Sequence, residues 1–205
     1  MSPRSSEQYE EIRETKRKHI LNTACKLFAN HGYYDTSISM ITKQAGISKG
    51  LIYNYFESKE QLLKSLVFEG LNEFHKNFDI DHDGILSNKE FEIYIDNYFR
   101  LLDKNREFWR LYFAIIIQPP VLRLVEKEMM EFGAPMVTIL FNYFKDNNYE
   151  DPQAEMEFFI AILSGVAIKY LNAPEYFHLE KLKKKIVSLY PNNKKGSTTN
   201  LTGEK

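Results

Sequence analysis

The sequence predicts an all-α protein, and three observations carry that prediction. Only seven prolines and nine glycines interrupt its 205 residues. Between these interruptions, apolar residues recur at three- and four-residue steps, as on one face of a helix, and do not alternate as they would in a strand. Serines stand where helices would begin and glycines where they would end. We therefore expect helices throughout and no strand.

The N-terminal part predicts three helices. Apolar residues at helical spacing line one face over residues 8–30, and Gly32 ends that helix. Two short helices are expected over 37–45 and 48–54, because each interval opens on a serine suited to N-capping and Gly46 separates them. Two short helices joined by so tight a turn indicate a helix-turn-helix.

Longer helices are expected in the rest of the chain. Ser58 and Gln61 have capping-box spacing before an apolar run over 62–78. We expect the helix that follows Pro119 to be kinked or broken between Gly133 and Pro135. The remaining helices are predicted at about 88–102, 104–117, 120–147, 152–171 and 178–190. The last 15 residues lack periodicity and are expected to be disordered.

Composition narrows the class of protein. A 43% hydrophobic and 14% aromatic content favours a packed domain, and no apolar run is long enough to cross a membrane. The N-terminus lacks a secretory signal and the lone Cys25 cannot form an internal disulfide, so we expect a cytoplasmic protein. Residues 1–65 carry ten basic and seven acidic side chains, which makes them mildly basic, whereas the remainder is mildly acidic.

The segment DTSISMITKQAGISKGLIYNYFESKEQLL carries the most specific pattern. Within it, Ala45-Gly46, Ser48-Lys49-Gly50, Tyr55-Phe56 and Ser58-Lys59-Glu60 keep spacings that resemble the DNA-binding segment of the tetracycline-repressor (TetR) family of bacterial regulators. The match covers roughly residues 15–65. The resemblance implies an N-terminal DNA-binding domain, expected at 8–62, and a helical ligand-binding and dimerisation domain, expected at 63–190, before a tail at 191–205.

The candidate DNA contacts follow from position and chemistry. Lys49 and Gly50 begin the second short helix, where side chains reach base edges and a glycine lets the backbone approach closely. Hydroxyl and ammonium donors suited to phosphate oxygens complete the set: Thr36, Ser39, Ser48, Tyr53, Tyr55 and Lys59. A tyrosine stands at 55 where the family often has a histidine, and its hydroxyl can still donate. Taken singly, the tyrosines could equally be packing residues and Lys49 an ordinary surface lysine.

The C-terminal part permits a ligand pocket and a dimer interface. The resemblance implies both. Flat rings and an adaptable thioether could line a cavity for a small hydrophobic ligand, although an ordinary core has the same composition; the candidates are Tyr98, Trp109, Tyr112, Phe113 and Met136. The helix over 152–171 is apolar on more than one face, so we expect a second subunit to cover it together with the helix over 178–190. A two-fold dimer predicts a palindromic operator.

One stretch, DIDHDGILSNKE at 79–90, does not belong to the family pattern. It matches an EF-hand calcium loop: Asp79, Asp81 and Asp83 take positions 1, 3 and 5, Ile85 would offer its carbonyl at position 7, and Glu90 would be bidentate at position 12. Gly84 supplies the sharp turn at position 6. Calcium is thus the one cofactor that the sequence indicates, and none is required by the family. Magnesium fits this roomy geometry less well.

A plain connector is the alternative for this loop. Ser87 and Glu90 also form a capping box, and Asp-His-Asp-Gly is a good turn. The three alternating carboxylates favour cation binding by this loop. The lack of a second such loop is evidence against it, because EF-hands usually work in pairs.

Two functions remain open from the sequence. The first is a homodimeric DNA-binding regulator, a repressor released by a small hydrophobic ligand and carrying a structural calcium site. The second is a calcium-binding helical module that docks protein instead of DNA. An enzyme is the least supported class, because the five histidines show no metal-binding spacing and no nucleophile motif accompanies them.

Overall fold

The computed structural model describes residues 6–76, 78 and 80–190. Those residues form helices and no strand, which confirms the all-α prediction. The helices are α1 Ser6–His31, α2 Ile38–Ala45, α3 Lys49–Tyr53, α4 Lys59–His75, α5 Asn88–Lys104, α6 Arg106–Ile116, α7 Pro119–Asp146, α8 Pro152–Asn172 and α9 Leu179–Leu189. A 3₁₀ turn at Pro174–Tyr176, which the sequence did not suggest, lies between α8 and α9.

Two helices differ from the expected limits. α7 runs without a break through Gly133 and Pro135, so the expected break is absent. Pro135 costs one intrahelical hydrogen bond but lies on an exposed side, where water can satisfy the carbonyl that loses its partner. α4 ends at His75, and Phe78 is instead buried edge-on against Tyr94. The expected disorder of residues 191–205 lies outside the described part of the chain.

The structure divides into two compact units. Unit 1 holds the described residues up to His75 together with Leu101–Gly133, and unit 2 holds Lys76–Arg100 together with those from Ala134 onward. The expected domain limit at residues 62 and 63 stays a prediction.

In unit 1, α1 packs against α2, α4 and α6, and α4 packs against α6. The core between them is aliphatic and aromatic, with Ile20, Phe28, Ile41 and Leu62 fully buried. Tyr112 of α6 lies across the backbone of α4, where its hydroxyl donates to the Val67 carbonyl at 2.9 Å. Gly70 leaves room for that ring, because a Cβ there would lie 2.2 Å from Tyr112 Cε2.

Aromatic rings form the core of unit 2. Phe91 of α5 stacks on Tyr143 of α7 at 4.5 Å, and Phe159 of α8 packs 4.8 Å from Phe91. Tyr190, which follows α9, contacts the same cluster.

No single helix in the described residues has the length and apolar content to cross a membrane; only α6 and α7, taken together as a bent pair, meet that test.

Candidate nucleic-acid interface

The turn between α2 and α3 is built from backbone caps. Ser37 accepts a hydrogen bond from the Met40 amide at 3.2 Å and so caps the N-terminus of α2. Gly46 ends α2 in the left-handed conformation, with φ of 65° and ψ of 36°, a geometry that favours glycine. The Ile47 amide then donates to the Thr42 carbonyl at 3.0 Å, which closes a Schellman-type cap. These contacts set the angle at which the chain enters α3.

The start of α3 presents the predicted contact residues. Ser48 caps the helix through the Leu51 amide at 3.2 Å. Lys49 and Gly50 are exposed in the first turn, and nothing lies within 4 Å of the space a Cβ at position 50 would fill. Ile52, about 200° around the helix from Gly50, is fully buried against the core. Burial of Ile52 therefore turns Gly50 toward solvent, and Lys49 is exposed beside it in the first turn, where a DNA groove could receive both residues.

The other predicted DNA-contact residues differ in how exposed they are. Ser39 is exposed, as is Tyr53, with about half of its surface accessible. Tyr55 is half-buried and packs against the core of unit 1. Ser48 uses its hydroxyl oxygen as the cap of α3, yet the residue remains exposed.

Thr36 requires a correction. Its side chain is completely buried, and its hydroxyl lies 2.8 Å from the Gly32 carbonyl and 3.2 Å from the Leu27 carbonyl. The single hydroxyl proton is used inside the protein, so the side chain cannot donate to a phosphate. Its role is to join the end of α1 to the start of α2.

Lys59 also has internal partners. Its ammonium donates to the carbonyls of Tyr33, Tyr34 and Thr36 at 2.8, 3.3 and 2.9 Å, and it lies 4.4 Å from the centre of the Tyr33 ring. Partial burial lowers the pKa of this ammonium. Because all three donors of the ammonium are engaged, its expected hydrogen bond to a phosphate would have to displace one of these carbonyls. Lys59 ties the start of α4 to the loop before α2.

One neighbour of the turn was missed by sequence reasoning. His19 of α1 has its Nε2 3.2 Å from the carbonyl of Ala45, the last residue of α2. On sequence alone, the five histidines were considered only as metal ligands and were assigned no role. The available signal was position, since His19 directly precedes the buried face that begins at Ile20.

The comparisons with known proteins agree with this geometry. Residues 20–66, which span the end of α1 through the start of α4, match the family model described as "Bacterial regulatory proteins, tetR family". Over these residues the chain is similar to the TetR family. The resemblance stated from the sequence is thereby confirmed over this segment, and the matched family is one of bacterial regulators.

A relative from Bacillus subtilis (strain 168), the "Fatty acid metabolism regulator protein", is 33% identical over 88 residues, which are 42% of this chain and 45% of that protein. The chain thus spans less than half the length of this curated relative. Two solved structures share the fold. The fatty acid degradation regulator FadR from Bacillus halodurans has a TM-score of 0.65 at 20% identity and covers 85% of this chain and 93% of its own. FadR from Bacillus subtilis in complex with stearoyl-CoA has a TM-score of 0.63 at 18% identity, with coverage of 84% and 96%.

The loop that departs from the TetR pattern is described from Ile80 to Glu90, whereas the predicted ligand Asp79 lies outside the described residues. Asp81 and Asp83 are exposed, and their Oδ1 atoms accept from the amides of Asp83 and Ile85 at 3.4 and 2.7 Å. Gly84 has a φ of 78°, as a sharp turn at position 6 requires. In the described part of the chain, no group of three or more acidic, histidine or cysteine side chains is arranged to hold a metal.

Glu90, the predicted bidentate ligand, caps α5 in this structure. Its Oε2 accepts from the amide and hydroxyl of Ser87 at 2.9 and 2.7 Å, and its own amide donates to Ser87 Oγ at 3.2 Å. Its Oε1 accepts from the Ile80 amide at 3.2 Å, which ties the two ends of the loop together. The hydrogen bonds from Ser87 hold the pKa of this carboxyl below its usual range. The structure therefore shows the capping box, and calcium binding stays a prediction.

The predicted pocket residues are packed among other aromatic rings. In unit 1, Trp109 and Tyr112 are buried with their ring centres 5.3 Å apart, and Phe113 lies 6.0 Å from Tyr112. In unit 2, Tyr98 is buried against Phe99, and Met136 is half-buried. Their role in binding a ligand stays a prediction.

A cavity of about 390 Å³ lies elsewhere in unit 2. The segment Gly84–Asn88 forms one side, and Ile139, Asn142, Tyr143, Asp146 and Asn147 of α7 form the other. None of the five predicted pocket residues lines it. Its polar amide walls did not stand out in the sequence, because they come from segments about 55 residues apart.

Proposed function

We propose that this protein is a DNA-binding transcriptional repressor that binds a palindromic operator as a homodimer. The observation that carries the proposal is the exposed Lys49-Gly50 pair at the capped N-terminus of α3, within the segment that matches the TetR family model. Lysine donors suit the guanine O6 and N7 acceptors, and the absence of a side chain at Gly50 lets the helix approach the groove closely. Acting on chromosomal DNA, the protein would work in the cytoplasm.

The dimer interface is assigned to α8 and α9. α8 is apolar on several sides, and in a single chain Phe158, Ala161 and Gly165 form an exposed stripe at helical spacing. Small residues in such a stripe allow another helix to approach closely. Leu189 of α9 is also exposed. The same patch meeting itself across a two-fold axis would cover these side chains.

Sedimentation equilibrium of Phe158→Asp tests this interface. A charge in this stripe should dissociate the dimer, because each association would bury two unpaired carboxylates. Tyr176→Asp is the matched control, since Tyr176 is more exposed than Phe158 but lies outside α8 and α9. A Phe158→Asp protein that remains as dimeric as the control contradicts this assignment.

The ligand is proposed to be a small hydrophobic molecule that releases the repressor from DNA. Tyr98, Trp109, Tyr112, Phe113 and Met136 are its candidate contacts. The first probes should be long-chain acyl-CoA thioesters, because one solved structure of similar fold holds stearoyl-CoA. Release of the protein from operator DNA at micromolar probe supports this part of the proposal, and tight operator binding at saturating acyl-CoA argues for another ligand.

A structural calcium ion is proposed for the loop at 79–90. The support is the EF-hand pattern of Asp79, Asp81, Asp83, the Ile85 carbonyl and Glu90, together with the left-handed Gly84. Binding would require Glu90 to exchange its capping hydrogen bonds for the cation. All the proposed side-chain ligands are oxygen donors, which is the chemistry that calcium prefers.

Selection of bound DNA from a random pool, run once with calcium and once with chelator, tests the proposal. We expect enrichment of a palindrome whose half-sites are about one helical turn apart. Failure to enrich any sequence, with affinity no greater than that for random duplex, would refute DNA recognition and favour the alternative module that docks protein. An identical result in both conditions limits calcium to a structural role.

A further inference from the structure

The first three turns of α1 stand free of the rest of unit 1. Residues 6–16 are all exposed, whereas from Ile20 onward the helix is packed into the core. Tyr9 and Ile12 are apolar side chains with 59% and 44% of their surface exposed. No packing within unit 1 buries these apolar side chains, and their exposure to water is unfavourable. This segment is therefore a candidate contact surface.

Charges on this segment are separated onto two faces. Tyr9, Ile12, Arg13 and Lys16 follow the spacing i, i+3, i+4, i+7 and share one face, which we call the outer α1 face. The four acidic residues Glu7, Glu10, Glu11 and Glu14 repeat the same spacing two residues earlier, and therefore lie about 200° away around the helix. The outer α1 face thus carries cations and no carboxylate.

Within the described residues, the two cations of the outer α1 face have no ion-pair partner. Arg17 pairs with Glu69, and Lys18 lies 3.9 Å from Glu14. Neither Arg13 nor Lys16 forms an ion pair with any residue in the part of the chain that the structure describes. Their charge is therefore available to an external anion.

The outer α1 face lies next to the helix-turn-helix. His19 continues this face one turn beyond Lys16, and its Nε2 contacts the Ala45 carbonyl beside the α2–α3 turn. With a rise of about 1.5 Å per residue, Lys16 and Arg13 lie about 4.5 and 9 Å further along the helix axis than His19. They extend the basic surface outward from the turn that positions Lys49.

We propose that the outer α1 face binds the phosphate backbone of DNA flanking the bases that α3 contacts. This inference rests on the proposed DNA-binding function and adds Arg13 and Lys16 as sequence-independent contacts. Two exposed cations beside the helix-turn-helix would attract the negatively charged DNA backbone. The acidic face on the far side of α1 would be repelled by the DNA, which favours an orientation with the cations toward it. The contact would strengthen binding without specifying bases.

The test compares the double variant Arg13→Gln/Lys16→Gln with Lys18→Gln/Lys127→Gln in the full chain. The second variant removes the same charge from exposed positions outside the outer α1 face. Affinity for the selected palindrome is measured over a series of salt concentrations, on a duplex that ends at the palindrome and on one with about 10 flanking base pairs on each side, about one helical turn. Thermal unfolding and sedimentation of both variants accompany the binding curves.

On the long duplex, we expect the Arg13/Lys16 variant to lower the slope of log affinity against log salt by about 1.8 per subunit, or about 0.9 for each lost phosphate contact. On the short duplex, it should bind like wild type, and the control should keep the wild-type dependence on flanking DNA. Equal slopes for wild type and variant on the long duplex overturn the inference. An equal loss of affinity on both duplexes also overturns the inference. A change in the oligomeric state of the variant overturns it as well, because the outer α1 face would then be a protein–protein contact. If wild-type protein binds none of the selected duplexes, the proposed DNA-binding function is refuted, and this inference is refuted as well.

Discussion

Two short segments, the turn between α2 and α3 and the loop at 79–90, both match a known pattern but differ in how far the fold alone arranges them. In the turn, serine and glycine caps are satisfied within the protein, and this leaves Lys49 and Gly50 facing outward. In the loop, the described carboxylates accept hydrogen bonds from the loop's own amides, and Glu90 caps α5. The DNA-binding turn can therefore have its final geometry in the unbound protein. The carboxylates of a calcium site, in contrast, converge only when a cation offsets their mutual repulsion.

The largest effect is expected from Lys49→Ala. Loss of a base-edge contact should weaken operator binding by about 1–3 kcal/mol in each subunit and relax base preference at the contacted position. Competition binding with a complete set of single-base operator variants measures both effects. Lys43→Ala is the control, because Lys43 is an exposed lysine of the preceding helix. If the two substitutions weaken binding equally, Lys49 contributes only general charge.

A calcium titration followed by thermal unfolding tests the loop. At a calcium concentration 100 times Kd, the wild-type protein should gain about 2.7 kcal/mol of stability, and Glu90→Gln should gain none. Glu92→Gln is the matched control, an exposed carboxylate of the same helix outside the ligand pattern. No calcium-dependent change in wild-type stability would leave the loop as a connector built on a capping box.

One left-handed glycine in each segment allows a direct comparison of the two. Gly46 and Gly84 have φ of 65° and 78°, and no atom lies within 4 Å of an added Cβ at either position. Alanine at either position should cost about 1–2 kcal/mol of unfolding free energy, from backbone conformation alone. Only Gly46→Ala should also weaken DNA binding, since it shifts the entry into α3. Gly133 lies within helix α7, and no atom lies within 4 Å of an added Cβ there either. Gly133→Ala should instead stabilise the folded protein by about 1 kcal/mol. A loss of stability in this variant would contradict the assignment of the other two losses to backbone conformation.

The smallest effect concerns pH. Since hydrogen bonds from Ser87 hold the pKa of Glu90 below its usual range, its carboxylate stabilises the folded state at pH values above about 4.3, the ordinary value for glutamate. That stability is lost as the pH falls through the lowered pKa. In chelator, urea unfolding should show wild type more stable than Glu90→Gln at pH 6, with the difference fading toward pH 3. A difference that persists at pH 3 would assign the effect to packing.

The sequence was most informative where one residue type suits one backbone geometry. Ser37, Gly46 and Ser48 predicted the limits of α2 and α3 because caps depend on local hydrogen bonds. It was least informative where the outcome depended on distant segments. Burial of Thr36 and the three carbonyls around Lys59 come from α1 and the loop after it, and spacing within the motif does not reveal them. Pro135 inside α7 shows that a helix can tolerate a lost hydrogen bond on an exposed side.

The central claim is sequence-specific DNA binding through α3, and the salt dependence of affinity for the selected palindrome against a scrambled duplex tests it most directly. We expect the intact protein to prefer the palindrome by about 10³-fold or more, with affinity for both duplexes falling as salt rises. Lys49→Ala should reduce that preference. Equal affinity for palindrome and scrambled duplex at every salt concentration would contradict the claim.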